Sequence, residues 1–166
     1  VWLDAINQNK LDKEDVRRSL AYAKDLEQGL SKLRTFSQGV SIFGSARLSE
    51  KGKYCRLAEE LGRKLAQNGH TVITGGGPSI MEAANKGAYE AGGKTIGLNI
   101  QLAHEQHINP YVTDSMEFHY FFARKVMLTM ASKVYVYFPG GFGTLDEFSE
   151  ILILMQEGKM PKMPMF

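Results

Sequence analysis

The sequence holds a single cysteine, Cys55, in 166 residues, so no disulfide can close within it. Cys55 falls in a helical pattern and reads as a buried or half-buried thiol, and the lack of a second thiol fits a reducing compartment. Long apolar runs are also missing. The longest purely aliphatic stretch, Ile151 to Met155, is far too short to cross a bilayer, and no signal-peptide pattern is present. A cytoplasmic protein with no membrane partner is expected. Charge of one sign is not in excess either: the net charge is +2 and no Lys/Arg cluster is longer than two residues, which argues against a nucleic-acid partner.

What is there suits one globular domain. A hydrophobic fraction of 43% beside 23% charged residues is ordinary, and the length allows a real core. Residues 12 to 34 place Val16, Leu20, Ala23, Leu26, Leu30 and Leu33 at three- and four-residue steps, predicting an amphipathic helix that must cover the domain or a partner. Residues 1 to 38 are therefore expected as an N-terminal helical extension, and 39 to 166, where the glycine-rich part lies, as the main domain. In that domain a unit recurs: a short apolar run, a glycine-bearing turn, an amphipathic helix. Val40 to Phe43 leads into Gly44-Ser45-Ala46-Arg47 and a helix with Tyr54, Leu57, Ala58, Leu61 and Leu65 on one face, which ends at Asn68-Gly69. Thr71 to Thr74 leads into Gly75-Gly76-Gly77-Pro78 and a helix to Glu90, closed by Gly92-Gly93. Thr95 to Ile100 reads as a further strand, followed by a polar loop to about Glu117 and a helix over 118 to 132. This alternation predicts an α/β fold, a Rossmann-like parallel sheet flanked by helices, with ligands at the strands' carboxyl ends. The chain opens without methionine, and Lys162-Met163-Pro164-Met165-Phe166 reads like the approach to another strand, so the natural protein is expected to extend past both termini.

Residues 134 to 147 concentrate the chemistry. Val134 to Phe138 has no polar alternation and reads as a strand buried on both faces, ended by Pro139. Gly140, Gly141 and Gly143 allow positive φ and close backbone approach, and Thr144 is expected to start a helix with Leu145, Phe148, Ile151, Leu152 and Met155 on one face. Their N–H groups, with the helix dipole, would favour an anion, most simply a phosphate. Thr144 and Glu147 also fit a capping box, a purely structural use of the same residues. Ser45, Gly75, Gly76 and Gly77 are expected beside this loop around one pocket.

Other motifs fail. In G-x-G-x-x-G the third glycine would stand at Ile80 or Asp146, and the Walker-like Gly93-Lys94-Thr95 has Ala88 where its first glycine belongs and precedes a strand. A nicotinamide-dependent dehydrogenase and an ATPase are therefore disfavoured. His70, His104, His107 and His119 lack metal-site spacing, His104-x-x-His107 reads as surface loop, and no metal is expected. Arg124 stands out because its helical neighbours are Tyr120, Phe121, Met127 and Leu128, which puts its stem on an apolar face. A guanidinium there needs an anionic partner unless it snorkels outward.

The stretch Pro139-Gly140-Gly141-Phe142-Gly143-Thr144-Leu145-Asp146-Glu147 resembles the P-G-G-x-G-T-x-x-E signature of the LONELY GUY (LOG) family, phosphoribohydrolases that cut the base from nucleoside 5′-monophosphates. Arg124-Lys125 with Met127 nearby is similar to its R-K-x-x-M segment, and Gly75-Gly76-Gly77-Pro78-Ser79-Ile80-Met81 to its G-G-G-x-x-x-M loop. The three motifs span most of residues 38 to 158. The resemblance implies hydrolysis of the N-glycosidic bond of a purine nucleoside 5′-monophosphate such as AMP, with Glu147 and Arg124 catalytic and Lys125 in support. It implies no metal or organic cofactor, and a homodimer or higher homo-oligomer to which the N-terminal helix and Phe118 to Phe122 contribute. Some relatives carry a lysine decarboxylase label that these residues do not support. A non-catalytic, AMP-sensing module and a scaffold with empty glycine loops remain as alternatives; the former has no chemical need of Glu147 or Arg124.

Overall fold

The computed structural model describes residues 12–33, 38–101 and 108–166. Five strands pair side by side in parallel, in the order β4-β3-β2-β1-β5, where β1 is Gly39–Phe43, β2 Thr71–Thr74, β3 Thr95–Ile100, β4 Asp114–Phe118 and β5 Val134–Tyr137. The register is set by apolar partners at the centre, with Val40 beside Val72 on one side and Val134 on the other. Parallel pairing needs crossovers, and helices lie in three of them: α2 (Lys53–Gln67) between β1 and β2, α3 (Ile80–Glu90) between β2 and β3, and α4 (Phe121–Met130) between β4 and β5. The helix α5 (Phe142–Gln156) follows β5, and α1 (Lys13–Leu33) precedes β1.

Alternation along each strand divides the interior into two cores. Val40 and Ile42 of β1 and Val72 of β2 face Cys55, Ala58, Ile80, Ala84 and Ala88 of α2 and α3. Phe43 and Ile73, one residue out of phase, face Ala123, Met127, Leu128 and Ile151 of α4 and α5. Cys55 is fully buried, as its helical position predicts. The chain builds outward from β1 to β4 and then returns to β1's other side for β5. That reversal opens a crevice between the loops after β1 and β5, where ligands of such sheets bind.

Several elements differ from the sequence reading. The stretch read as loop up to Glu117 contains β4, whose burial alternates until the fully buried Phe118. A half-polar edge strand lacks the continuous apolar run that marks the inner strands. Consequently α4 begins at Phe121, and Phe118 lies in the core where no partner can reach it. Of the four β5 residues only Tyr135 is fully buried. One reason is position: β5 closes the row of named strands, with Met165 forming a parallel bridge to Tyr135, as the strand-like reading of the last residues predicts. In α1 the buried residues are Asp25 and Gly29, while Val16, Leu20 and Leu30 stay exposed. The Asp25 carboxylate accepts from the backbone N–H groups of His119 at 2.9 Å and Tyr120 at 3.2 Å, so it caps α4 from another helix. Tyr54 and Leu57 of α2 are likewise exposed, because Ala58 and Gly62 make its close contact. Among the described residues no helix is long and apolar enough to cross a membrane.

Candidate functional site

The crevice between the β1 and β5 loops is a cavity of about 440 Å³. Three turns meet there. The first, after β1, brings Ser45; the second, after β2, brings Gly75; the third, after β5, brings Gly141, Gly143 and Thr144. Arg124 reaches in from α4 and Glu147 from the first turns of α5. The other sequence candidates do not line the cavity. Gly76 and Gly77 lie behind Gly75, Gly140 lies under Thr144, and Lys125 is turned to carboxylates of α5 away from the cavity lining. Its ammonium pairs with Asp146 at 3.1 Å and Glu150 at 3.0 Å. Burial alone would lower that ammonium's pKa, but the two carboxylates outweigh it and raise it.

The glycine-rich loop works differently from the expectation of positive φ. None of Gly140, Gly141 and Gly143 adopts it. At Gly140 an added Cβ would stand 2.6 Å from Thr144 Cβ, so its lack of side chain lets Thr144 fold back over the loop. At Gly141 and Gly143 a Cβ would meet nothing within 4 Å, and the two positions keep the cavity open. The helix also starts before Thr144: Gly141 is the N-cap, with φ −91° and no side-chain cap. The capping box is therefore not formed. Among the described residues nothing accepts from the N–H groups of Phe142, Gly143 and Thr144, the orphan donors of a helix start.

Glu147, freed from capping, pairs with Arg124. Guanidinium Nη2 donates to carboxylate Oε1 at 3.0 Å, and the side chains are only 15% and 14% exposed. Arg124 thus has the buried anionic partner its apolar helix face demands, and it does not snorkel. Desolvation dominates both titrations. It raises the Glu147 carboxyl to about 7 despite the opposing Arg124 charge, and it lowers the Arg124 pKa. Among the described residues Arg124 Nε and the Tyr137 hydroxyl are buried with no hydrogen-bond partner. A group near neutrality beside a cation in a crevice is suited to proton transfer or to charge stabilisation.

Sequence reasoning missed several contributors. Arg47 lines the mouth, and Met81 stands where a Cβ on Gly75 would come within 3.0 Å of its sulfur. Behind Gly75 a fully polar knot holds the loop. Asn109 Nδ2 donates to the Gly76 and Gly77 carbonyls, each at 3.1 Å, and to Asn85 Oδ1 at 3.0 Å. Thr74 Oγ1 donates to Asn85 Oδ1 at 2.7 Å and accepts from Gly76 N–H at 2.9 Å. Gly76 itself has φ 74° and packs against Gly97 Cα, so here glycine is required twice over. Arg47 was signalled only by its place just after β1 and Met81 by the G-G-G-x-x-x-M motif, while Asn85 and Asn109 carried no signal. Of the histidines, His119 pairs with Asp25, while His104 and His107 lie outside the described residues. Among the described residues no three His, Cys, Asp or Glu side chains gather as a metal site would require.

Residues 81–166 match a family model described as possible lysine decarboxylase. The chain is similar to the cytokinin riboside 5′-monophosphate phosphoribohydrolase of Mycobacterium tuberculosis, at 36% identity over 55% of this chain and 50% of that protein. It is also similar to the enzyme of the same name from Rhodococcoides fascians, at 27% identity over 72% of this chain and 62% of that one. The chain therefore spans half to under two thirds of these relatives. Among solved structures, the molybdenum cofactor carrier protein from Chlamydomonas reinhardtii superposes with a TM-score of 0.60 at 30% identity, covering 75% of this chain and 74% of that one.

Proposed function

The chain belongs to the LOG family, whose matching model carries the older decarboxylase description, and from that premise we propose that it hydrolyses the N-glycosidic bond of a purine nucleoside 5′-monophosphate such as AMP. The observation that carries this reading is the buried Glu147–Arg124 pair facing the same cavity as the open N-terminus of α5. The phosphate would sit on the N–H groups of Phe142, Gly143 and Thr144, where the helix dipole adds to their attraction. Ribose would then lie toward Glu147. As the bond between C1′ and the base nitrogen breaks, its electrons leave with the base, which takes up a proton, and C1′ gains oxocarbenium character. The Glu147 carboxylate stabilises that charge, and a water oxygen bonds to C1′ and loses a proton. Arg124 holds the carboxylate in place. The products are free base and ribose 5-phosphate.

A second reading is a carrier that binds a phosphorylated ligand without cleaving it, favoured by the likeness to the molybdenum cofactor carrier protein. Such a protein has no chemical need of a carboxylate poised near neutrality. Incubation with AMP separates the two: hydrolysis releases adenine and ribose 5-phosphate, and a carrier releases neither. The glycine loop also makes the 5′-phosphate important, because binding energy away from the reacting bond holds the reacting centre in place. AMP is expected to be cleaved with a kcat/KM at least about a hundredfold above that of adenosine. Equal rates for the two would remove the phosphate site from this reading. We propose further that the protein is cytoplasmic and that a second copy covers the exposed apolar residues of α4 and α5.

A further inference from the structure

We propose that Arg47 is the specificity-determining residue for the substrate's 5′-phosphate, an inference that rests on the hydrolase reading and names the cation that reading lacks. A phosphate monoester carries nearly two negative charges at neutral pH, whereas a helix N-terminus offers about half a positive one. The cavity must supply more. Arg124 is engaged by Glu147 at 3.0 Å, and Glu147 adds negative charge of its own when ionised. Lys125 is committed to Asp146 and Glu150 and does not line the cavity. Arg47 does line it, and among the described residues no carboxylate pairs with it.

The backbone that carries Arg47 is fixed from several directions. Its own N–H donates to Ser45 Oγ at 3.0 Å, which closes the turn. Ser45 N–H donates to the Pro139 carbonyl at 3.1 Å, and the Ser45 carbonyl accepts from Ile80 N–H at 3.3 Å. Ser79 Oγ donates to the Leu48 carbonyl at 3.0 Å, just past Arg47. The bond to Pro139 matters most, because it ties the Arg47 turn to the loop that starts α5. A cation carried on a fixed turn at the same cavity as unsatisfied N–H donors, without an internal counter-charge, is suited to receive an oxyanion. The side chain itself remains exposed at the mouth, able to close on a ligand that arrives.

The test compares Arg47→Gln and Arg47→Lys with the unaltered protein. For AMP against adenosine, the ratio of kcat/KM values should fall about tenfold or more in Arg47→Gln, chiefly through KM, with partial recovery in Arg47→Lys. A merely structural arginine would depress both substrates together and leave the ratio where it was; that result overturns the assignment. Titration with inorganic phosphate gives a readout independent of cleavage. Affinity weakened about tenfold in Arg47→Gln supports the proposal. Unchanged affinity, or no phosphate binding by the unaltered protein, overturns it. If phosphate affinity depends on Arg47 while AMP is never cleaved, only the hydrolase reading falls.

Discussion

At 14% and 15% exposure, the Glu147 and Arg124 side chains hold their charges where water screens little, so the pair governs both chemistry and pH response. The Glu147 carboxyl is raised from 4.5 to about 7 by desolvation. A folded-state pKa above the unfolded value means that the folded protein binds the extra proton. Stability from this group is therefore fully present below about 4.5 and is lost as pH rises through about 7. The shift corresponds to about 3 kcal/mol. Glu147→Gln cannot titrate, so the stability difference between it and the unaltered protein should change by about that amount across this window, as read from urea unfolding at several pH values. The amide still accepts from Arg124 but carries no charge, and turnover is expected to vanish. In the unaltered protein kcat should rise with pH through about 7, because the carboxylate is the active form. Full turnover in Glu147→Gln, or a flat profile, would remove Glu147 from the reaction.

Helix α4 presents Arg124 from a position fixed by a residue of a different helix, since Asp25 of α1 receives the N–H groups of His119 and Tyr120. The Tyr120 carbonyl in turn accepts from Arg124 N–H at 3.2 Å, one helical turn on. Asp25→Ala should lower unfolding stability by about 1 to 3 kcal/mol, because the carboxylate that accepts from both N–H groups is lost. It should also cut kcat through the loosened start of α4; normal melting and activity would show that α4 needs no such cap. This tie was not legible in the sequence. An aspartate inside an amphipathic helix reads as solvated surface, and only the approach of α4 turns that side inward. β4 escaped for a similar reason, since Asp114-Ser115-Met116-Glu117 has the polarity of a loop and becomes a strand by pairing with Ile96 to Asn99. The inner strands were legible because apolar runs buried on both faces have few other uses. Thr71–Thr74 and Thr95–Ile100 match their observed bounds. The turns after them were legible from glycine, and the need of Arg124 for an anion from its apolar helix face, whereas Glu147 as that anion was not legible from spacing and entered only through the family resemblance. Arg47 and Asn109 carry no such local mark, because their importance arises from loops distant in sequence.

Across the whole molecule, among the described residues, exposed apolar side chains lie on several elements, Phe166 and Leu20 included, and α4 and α5 carry half of them. Phe142 is 92% exposed, Met130 58%, Phe121 and Ile153 56%, and Leu145 55%. The pairs Arg124–Glu147 and Lys125–Glu150 join these two helices. Isolated apolar side chains on a surface are common, but Phe142 and Ile153 of α5, about three turns apart on one side of the helix, mark a face suited to an interface. α5 contributes most, since only Ile151 is fully buried along its 15 residues. A second copy of this chain is the occupant expected from the homo-oligomeric reading, and a two-fold contact would meet the patch with itself. Ile153→Asp places a charge in that patch without touching the cavity lining. At equal concentration the unaltered protein should sediment as a dimer or larger, and Ile153→Asp should shift to monomer, because an unpaired charge buried in an interface is costly. Circular dichroism should show the same helix content in both, which separates lost association from lost folding. If the unaltered protein sediments as a monomer across micromolar concentrations, this face does not join two copies and the homo-oligomer is wrong.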